Sequence, residues 1–226
     1  MSSLKNLYLL GYNVACAAGW AYVLITCAQH IVSGKSEQPQ ALYDEVEQVL
    51  KIVQTAAIME VLHALLGVVR SPWFTTLLQV ASRVTILWGF LWAIPSTQGQ
   101  IGATLCITSW AAVEIPRYLF YAFNVMGSSP YPLFYLRYSL FFVLYPTGIS
   151  GELLTVWAAL PTLKVSGDRV GFAVVGPVTV SGYMVALAIL AVYVPGAPFM
   201  YMNMVSNRKS AFKKRNAGVG DSKKTA

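Results

Sequence analysis

Long apolar runs separated by short polar stretches dominate the chain. Six of them, residues 7–31, 52–69, 74–94, 101–123, 133–160 and 171–194, reach or approach the roughly 20 helical residues that cross a bilayer core. Backbone groups in lipid must bond to one another, so each run predicts a helix. The first run is too long for the apolar core of a cleaved leader, and no small-residue cleavage pattern closes it, so it counts as a span. Ser71-Pro72, Pro95-Ser96, Ser128-Ser129-Pro130 and Pro161 mark turns between runs. Residues 33–51 form a longer polar connection carrying Glu37, Asp44, Glu45 and Glu47. The pattern predicts an all-α integral membrane protein of six transmembrane helices, with no internal repeat. A six-helix membrane domain is expected over residues 1–205 and a basic tail over 206–226.

Charge sharpens this picture. Only 11% of residues are charged, against about 25% in soluble domains, so lipid is the solvent for most of the chain. Of the 16 Lys and Arg, Arg208, Lys209, Lys213, Lys214, Arg215, Lys223 and Lys224 crowd the C-terminal stretch. Six spans put both termini on one side, and the basic tail makes that side cytosolic. Arg70 then faces the cytosol, while Lys35, Lys51, Lys164 and Arg169 face the other way. A solvated tail beside anionic lipid explains the charge, and the rest of the chain has no basic face for nucleic acid. The final Lys223-Lys224-Thr225-Ala226 resembles the dilysine signal that retrieves membrane proteins to the endoplasmic reticulum. Cys16, Cys27 and Cys106 lie in apolar runs with no spacing for a disulfide framework or a zinc site.

Several charges fall inside the predicted spans: Glu60, Glu114, Glu152, Arg83, Arg117 and Arg137. Each costs about 2.5–3.5 kcal/mol at the centre of a membrane helix unless it is paired or meets water. Their signs balance, which predicts a polar cluster within the bundle. Glu114 and Arg117 are three apart and pair directly on one helix. Gln79 and Arg83 share a face of the third span, as structural or substrate-facing groups. Glu60 and His63 have the Glu-x-x-His spacing of di-iron bundles, but His30 is the only other histidine. A hydrogen-bonded Glu60–His63 pair in the core is expected, with no metal.

The fifth run contains Leu144-Tyr145-Pro146-Thr147-Gly148-Ile149-Ser150-Gly151-Glu152. Tyr145 and Glu152 are seven apart, so on a helix they lie within about 20° of one face and roughly 10 Å apart. Pro146, Gly148 and Gly151 are expected to loosen the helix between them, which lipid tolerates only where the backbone lines a cavity or is buried in protein. A phenol and a carboxyl on one cavity wall can work as acid and base. A packed tyrosine and an ion-paired glutamate fit the spacing equally well.

Residues 136–152 resemble the very-long-chain 3-hydroxyacyl-CoA dehydratases, the family also called protein-tyrosine-phosphatase-like, whose plant members are the PASTICCINO proteins. So do Gln54-Thr-Ala-Ala-Ile-Met-Glu60-Val-Leu-His63, Gly67-Val-Val-Arg70-Ser71-Pro72, Ser109-Trp110 through Glu114 to Arg117-Tyr118, and Tyr193-Val-Pro-Gly-Ala-Pro198 followed by Met200-Tyr201. The resemblance covers nearly the whole chain. It implies a six-span enzyme of the endoplasmic reticulum that performs the third step of fatty-acid elongation, removing water from (3R)-3-hydroxyacyl-CoA to give the trans-2-enoyl-CoA. The family's catalytic pair falls on Tyr145 and Glu152, and Glu60, Gln79, Arg83, Arg117 and Arg137 look like supporting polar residues. His63 and Glu114 complete the expected network. No cofactor is implied. The partners are the 3-hydroxyacyl-CoA, membrane lipid and the condensing, ketoacyl-reducing and enoyl-reducing enzymes of elongation. Ile115-Pro116 departs from the family pattern and is expected to kink the fourth span.

The phosphatase-like name raises a second class of function. Tyrosine phosphatases need Cys-x5-Arg, and Tyr22, Ser33 and Ala112 stand where that arginine would follow Cys16, Cys27 and Cys106. A catalytically silent, phosphatase-like membrane binding protein is the alternative. A transporter would suit the intramembrane charges, but the inverted repeats of that class are missing. For dehydration, an ordinary carboxyl is ionised and an ordinary phenol protonated at neutral pH, so Glu152 is base and Tyr145 acid by default. A neighbouring arginine can reverse the roles.

Overall fold

The computed structural model describes residues 3–34, 39–69, 71–166, 171–175 and 178–224. Lys35, Arg70 and Arg169, on which the sidedness partly rests, lie outside them, as do the side chains of Lys223 and Lys224.

Helix α1 (Ser3–Val32) is followed by α2 (Pro39–Ala56) and α3 (Ile58–Leu65), parted only by Ala57. The polar connection expected over residues 33–51, and the span expected to begin at 52, are therefore corrected: most of that stretch is helix. Leu42, Tyr43, Val46, Leu50 and Val53 recur at helical spacing and are buried, while Asp44, Glu45 and Gln48 point outward. An amphipathic helix carries acids on its free face without losing its core face.

Helix α4 (Trp73–Val84) passes directly into a π-helical segment, Thr85–Trp92, and a short 3-10 turn, Pro95–Thr97. Carbonyls at the end of the π segment lose their regular helical partners, and that of Phe90 instead accepts the Ile94 N–H at 3.0 Å. The Thr97 hydroxyl donates to the Phe90 carbonyl at 3.1 Å and the Gln98 amide to that of Leu91 at 2.7 Å. Helix α5 (Ile101–Val125) stays helical through Pro116. Helix α6 (Tyr131–Ser139) meets α7 (Phe141–Ser166) at a bend of 42°. The break thus falls at Leu140, and the backbone between Tyr145 and Glu152 is regular helix rather than loosened. Pro146 leaves a single carbonyl, that of Phe142, without its helical partner, which a helix survives.

Strands β1 (Gly171–Val175) and β2 (Val178–Ser181) pair antiparallel, with Val175 opposite Val178. The sixth helix therefore starts later than residue 171, as α8 (Gly182–Lys224). Val174, Val175, Val178, Thr179 and Val180 are β-branched, and they favour extended backbone over helix. Helix α8 then continues without a break past residue 205.

Helix α5 is the hub, packed most extensively on α7 and α1. Trp20, Val23, Leu87, Phe90, Cys106 and Val156 form the centre of the core. Leu7, Ile25, Val143, Trp157, Val192 and Phe199 are exposed, as lipid-facing side chains should be. Among the described residues four helical stretches, Leu4–Val32, Gln40–Leu65, Trp73–Trp92 and Gly182–Ala217, are long and apolar enough to cross a membrane, and the bent α6–α7 pair makes a fifth. Helix α5 is not among them because it carries Thr104, Thr108, Ser109, Glu114, Arg117 and Asn124; being central, it turns all of these but the exposed Asn124 toward neighbours rather than to lipid. The molecule is a helical, multi-pass membrane protein.

Candidate active site

Where α5 and α7 cross, two glycines remove side chains from the contact. A Cβ on Gly151 would lie 2.4 Å from the Cys106 nitrogen, and one on Gly102 would lie 2.8 Å from the Thr155 nitrogen. Gly151 is therefore a close-approach residue rather than a loosener of its helix. The crossing brings Trp110 of α5 up to Glu152 of α7: the indole N–H donates to Oε1 at 2.8 Å. From α8, the Tyr193 hydroxyl donates to Oε2 at 2.6 Å. Three helices thus converge on one carboxylate, which is only 7% exposed. Among the described residues each oxygen takes one donor, which leaves it a second lone pair.

Tyr145 lies on the same face of α7, half-buried. Its hydroxyl donates to the Ala197 carbonyl of α8 at 3.1 Å, and its ring lies 6.1 Å from that of Tyr201. Tyr145 and Glu152 therefore meet α8 at positions four residues apart rather than bonding to each other. An apolar groove of about 710 Å³ runs between α4 and α8, lined by Leu78, Ile86, Met184, Ala188, Ile189 and Val192, and it includes Tyr193 in its wall. Tyr193 thus belongs to both the groove and the carboxylate.

Most of the expected polar network exists as a ladder. Arg83 of α4 pairs with Glu114 of α5, Arg117 pairs with Glu114 at 2.7 Å, and Arg117 also pairs with Glu60 of α3. The Tyr118 hydroxyl donates to Glu60 as well. The direct Glu114–Arg117 pairing expected from their spacing is present. Arg83 links the ladder to the site by stacking its guanidinium 5.2 Å from the Trp110 ring and 5.7 Å from Trp20. Its Nε and Nη2 are buried with no hydrogen-bond partner among the described residues.

Other expectations are corrected. Glu60 and His63 do not bond to each other: Glu60 turns to Arg117 and Tyr118, and His63 Nε2 lies 2.9 Å from the Tyr8 hydroxyl. On the short α3, two cationic and phenolic partners on α5 outcompete a neighbour on the same helix. Gln79 is exposed. Arg137 makes no ion pair with the ladder among the described residues but joins it through Tyr121: it donates to the Tyr121 hydroxyl at 3.1 Å, and the Arg117 guanidinium lies 5.6 Å from the centre of the same ring. Trp110 and Tyr193 were not singled out from sequence as site residues. The available signal was a bound on Glu152: a carboxylate in lipid needs donors, and indole and phenol can supply them.

Comparison with known proteins places this geometry. The family model for protein tyrosine phosphatase-like protein, PTPLA, matches residues 54–214. Very-long-chain (3R)-3-hydroxyacyl-CoA dehydratase PASTICCINO 2A of Oryza sativa subsp. japonica is 40% identical, over 96% of this chain and 97% of its own. The dehydratase PASTICCINO 2 of Arabidopsis thaliana is 38% identical over 95% and 96% of the two chains. Very-long-chain (3R)-3-hydroxyacyl-CoA dehydratase 2 of Homo sapiens is 34% identical over 91% and 81%. No solved structure matches the chain. With the family match spanning well over half its length and relatives aligned almost end to end, the chain belongs to the protein tyrosine phosphatase-like, PTPLA, family.

Proposed function

We propose that this protein is a hydro-lyase that dehydrates very-long-chain (3R)-3-hydroxyacyl-CoA to trans-2-enoyl-CoA, the third step of the fatty-acid elongation cycle. The names of its relatives support this reading. The observation that carries it is the Glu152 carboxylate, held by Trp110 and Tyr193 beside an apolar groove. A long acyl chain matches that groove in shape and polarity.

Dehydration breaks the C2–H and C3–O bonds and forms C2=C3 and water. Glu152 takes the C2 proton, and Tyr145 gives its proton to the departing hydroxyl. The Tyr193 and Trp110 donors fix the direction in which the free lone pairs of Glu152 point. As C2 loses its proton, negative charge grows on the thioester oxygen. The unpartnered N–H groups of Arg83 are suited to receive it. Ion pairs with Glu114 hold Arg83 in place. Metal and cofactor have no part in this scheme.

The wider arrangement belongs to the same proposal. Six spans, with α5 as the sheltered one, form a membrane catalytic domain over residues 1–205 with both ends cytosolic. The basic residues 206–226 then extend into the cytosol, and the protein resides in the endoplasmic reticulum membrane with the other elongation enzymes. The phosphatase-like alternative gains nothing: Cys16, Cys27 and Cys106 are buried, and none is followed by the arginine that phosphatase chemistry needs.

The test is turnover of a purified 3-hydroxyacyl-CoA, followed by absorbance of the conjugated enoyl thioester. Tyr145→Phe and Glu152→Gln are nearly isosteric, and each is expected to abolish turnover while far-UV dichroism stays native. Full activity in either folded variant would overturn the assignment of the pair.

A further inference from the structure

Helix α8 is far longer than a membrane requires. Its 43 residues span about 64 Å, roughly twice a 30 Å hydrocarbon core. One stripe of it can be followed along α7 and then α6. Tyr193 meets Glu152, Ala197 meets Tyr145, and Tyr201 packs on Phe141 and Phe142. Further along the same stripe, Arg208 Nε donates to the Ser139 hydroxyl at 3.2 Å, and Arg215 donates to the Ser129 hydroxyl at 3.2 Å. Both guanidinium groups lie on aromatic rings: Arg208 is 4.5 Å from the centre of Phe212, and Arg215 is 4.6 Å from that of Phe134. Neither pairs with a carboxylate among the described residues. Lys209, Lys213 and Lys214 are exposed on the flanks. Uncompensated positive charge is thus held in fixed positions at one end of the helix that carries part of the catalytic site.

We propose that the basic stretch of α8 around Arg208 binds the phosphates of the substrate's coenzyme A moiety, an inference that rests on the dehydratase reading above. The distances agree. Arg208 follows Ala197 by eleven residues and Tyr193 by fifteen, so it lies about 16–22 Å along the axis from the groups that meet Tyr145 and Glu152. In coenzyme A, about thirteen bonds separate the thioester sulfur from the first phosphorus; at roughly 3.5 Å per three bonds of extended chain they span about 15 Å. The reacting carbons lie about three bonds beyond the sulfur, which brings the reach to roughly 19 Å. A substrate laid along α8 therefore has its acyl chain in the groove, its reacting carbons at Glu152 and its phosphates at Arg208. Guanidinium groups match phosphate oxygens in pairs, and stacking on Phe142 and Phe212 holds Arg208 before the ligand arrives.

A lipid headgroup offers the same phosphate chemistry, so the experiment separates the two. Full-length protein in zwitterionic detergent, free of anionic lipid, is titrated with coenzyme A itself. Arg208→Gln is compared with a triple variant, Lys209→Gln/Lys213→Gln/Lys214→Gln, whose exposed positions put folding at little risk. The wild type is expected to bind with an affinity that falls as salt rises. Both variants should weaken binding by about tenfold or more, the worth of one charge-assisted hydrogen bond. The preference for a coenzyme A thioester over the N-acetylcysteamine thioester of the same acyl chain should fall in proportion. Equal binding by wild type and variants overturns the site. So does a triple variant that binds coenzyme A normally and loses only its affinity for phosphatidylserine nanodiscs, because the phosphates held would then be those of lipid. A wild type that binds coenzyme A through this patch but turns over no hydroxyacyl thioester counts against the dehydratase reading alone.

Discussion

Gly151→Ala tests whether helix packing sets the geometry of the carboxylate. The added methyl would lie 2.4 Å from the Cys106 nitrogen and 2.9 Å from the Gly102 oxygen, both backbone atoms that cannot rotate away. Ordinary contact begins near 3.4 Å, so α5 and α7 must part by about 1 Å. Overpacking of this kind costs about 1–3 kcal/mol, against a gain of up to about 1 kcal/mol from replacing a helical glycine. Trp110 is one turn beyond Cys106 on α5, so the same displacement stretches its 2.8 Å bond to Glu152 beyond hydrogen-bonding range. A displacement of that size in a catalytic group can cost about a hundredfold in rate. The matched control is Gly11→Ala on α1, where nothing lies within 4 Å of the new methyl. Thermal melting in detergent and kcat on a hydroxyacyl-CoA are measured for both. The expected outcome is a lower melting temperature and much reduced kcat for Gly151→Ala, with an unchanged or slightly raised melting temperature and normal kcat for Gly11→Ala. Wild-type melting and turnover in Gly151→Ala would refute the close-approach reasoning. Lower stability with normal kcat would refute only the link from packing to Trp110 and Glu152.

The remaining predictions address individual groups. Tyr193→Phe keeps the ring but removes one of the two donors to Glu152, so kcat should fall about tenfold to a hundredfold with little change in KM; a wild-type kcat would remove Tyr193 from the mechanism. Glu114→Gln leaves Arg83 and Arg117 facing each other without their shared carboxylate. A loss of about 3–5 kcal/mol is expected, read as a lower melting temperature, and unchanged melting would show that the ladder is not structural. Ala188→Trp should fill the groove between α4 and α8, raising KM for the longest acyl chains more than for short ones; an equal effect at every chain length would move the acyl chain elsewhere.

How much of this was legible in the chain depends on what each residue type demands of its surroundings. Glu114 and Arg117 cannot sit unpaired in lipid, so their spacing alone announced a pair, and the pair exists. Asp44 and Glu45 misled for the converse reason: acids on the free face of an amphipathic helix demand nothing from the core, and their polarity hid the buried Leu42, Val46 and Leu50. Gly151 was ambiguous because the same missing side chain permits a loose backbone or a tight contact. Only the partner helix, with Gly102 at the crossing point, decides between them. Tyr193 and Trp110 were the least visible. Neutral aromatic residues are at home in a core, at a membrane interface or beside a carboxylate, so their type carries almost no information about their role. Their selection as partners of Glu152 is a property of the fold, since they reach it from α5 and α8, some forty residues away on either side. A buried charge therefore reveals from sequence that donors must exist, whereas identifying the donors requires knowing which helices cross. Catalytic geometry of this kind is then exposed to substitutions at crossing points such as Gly151, even though no reacting group is touched.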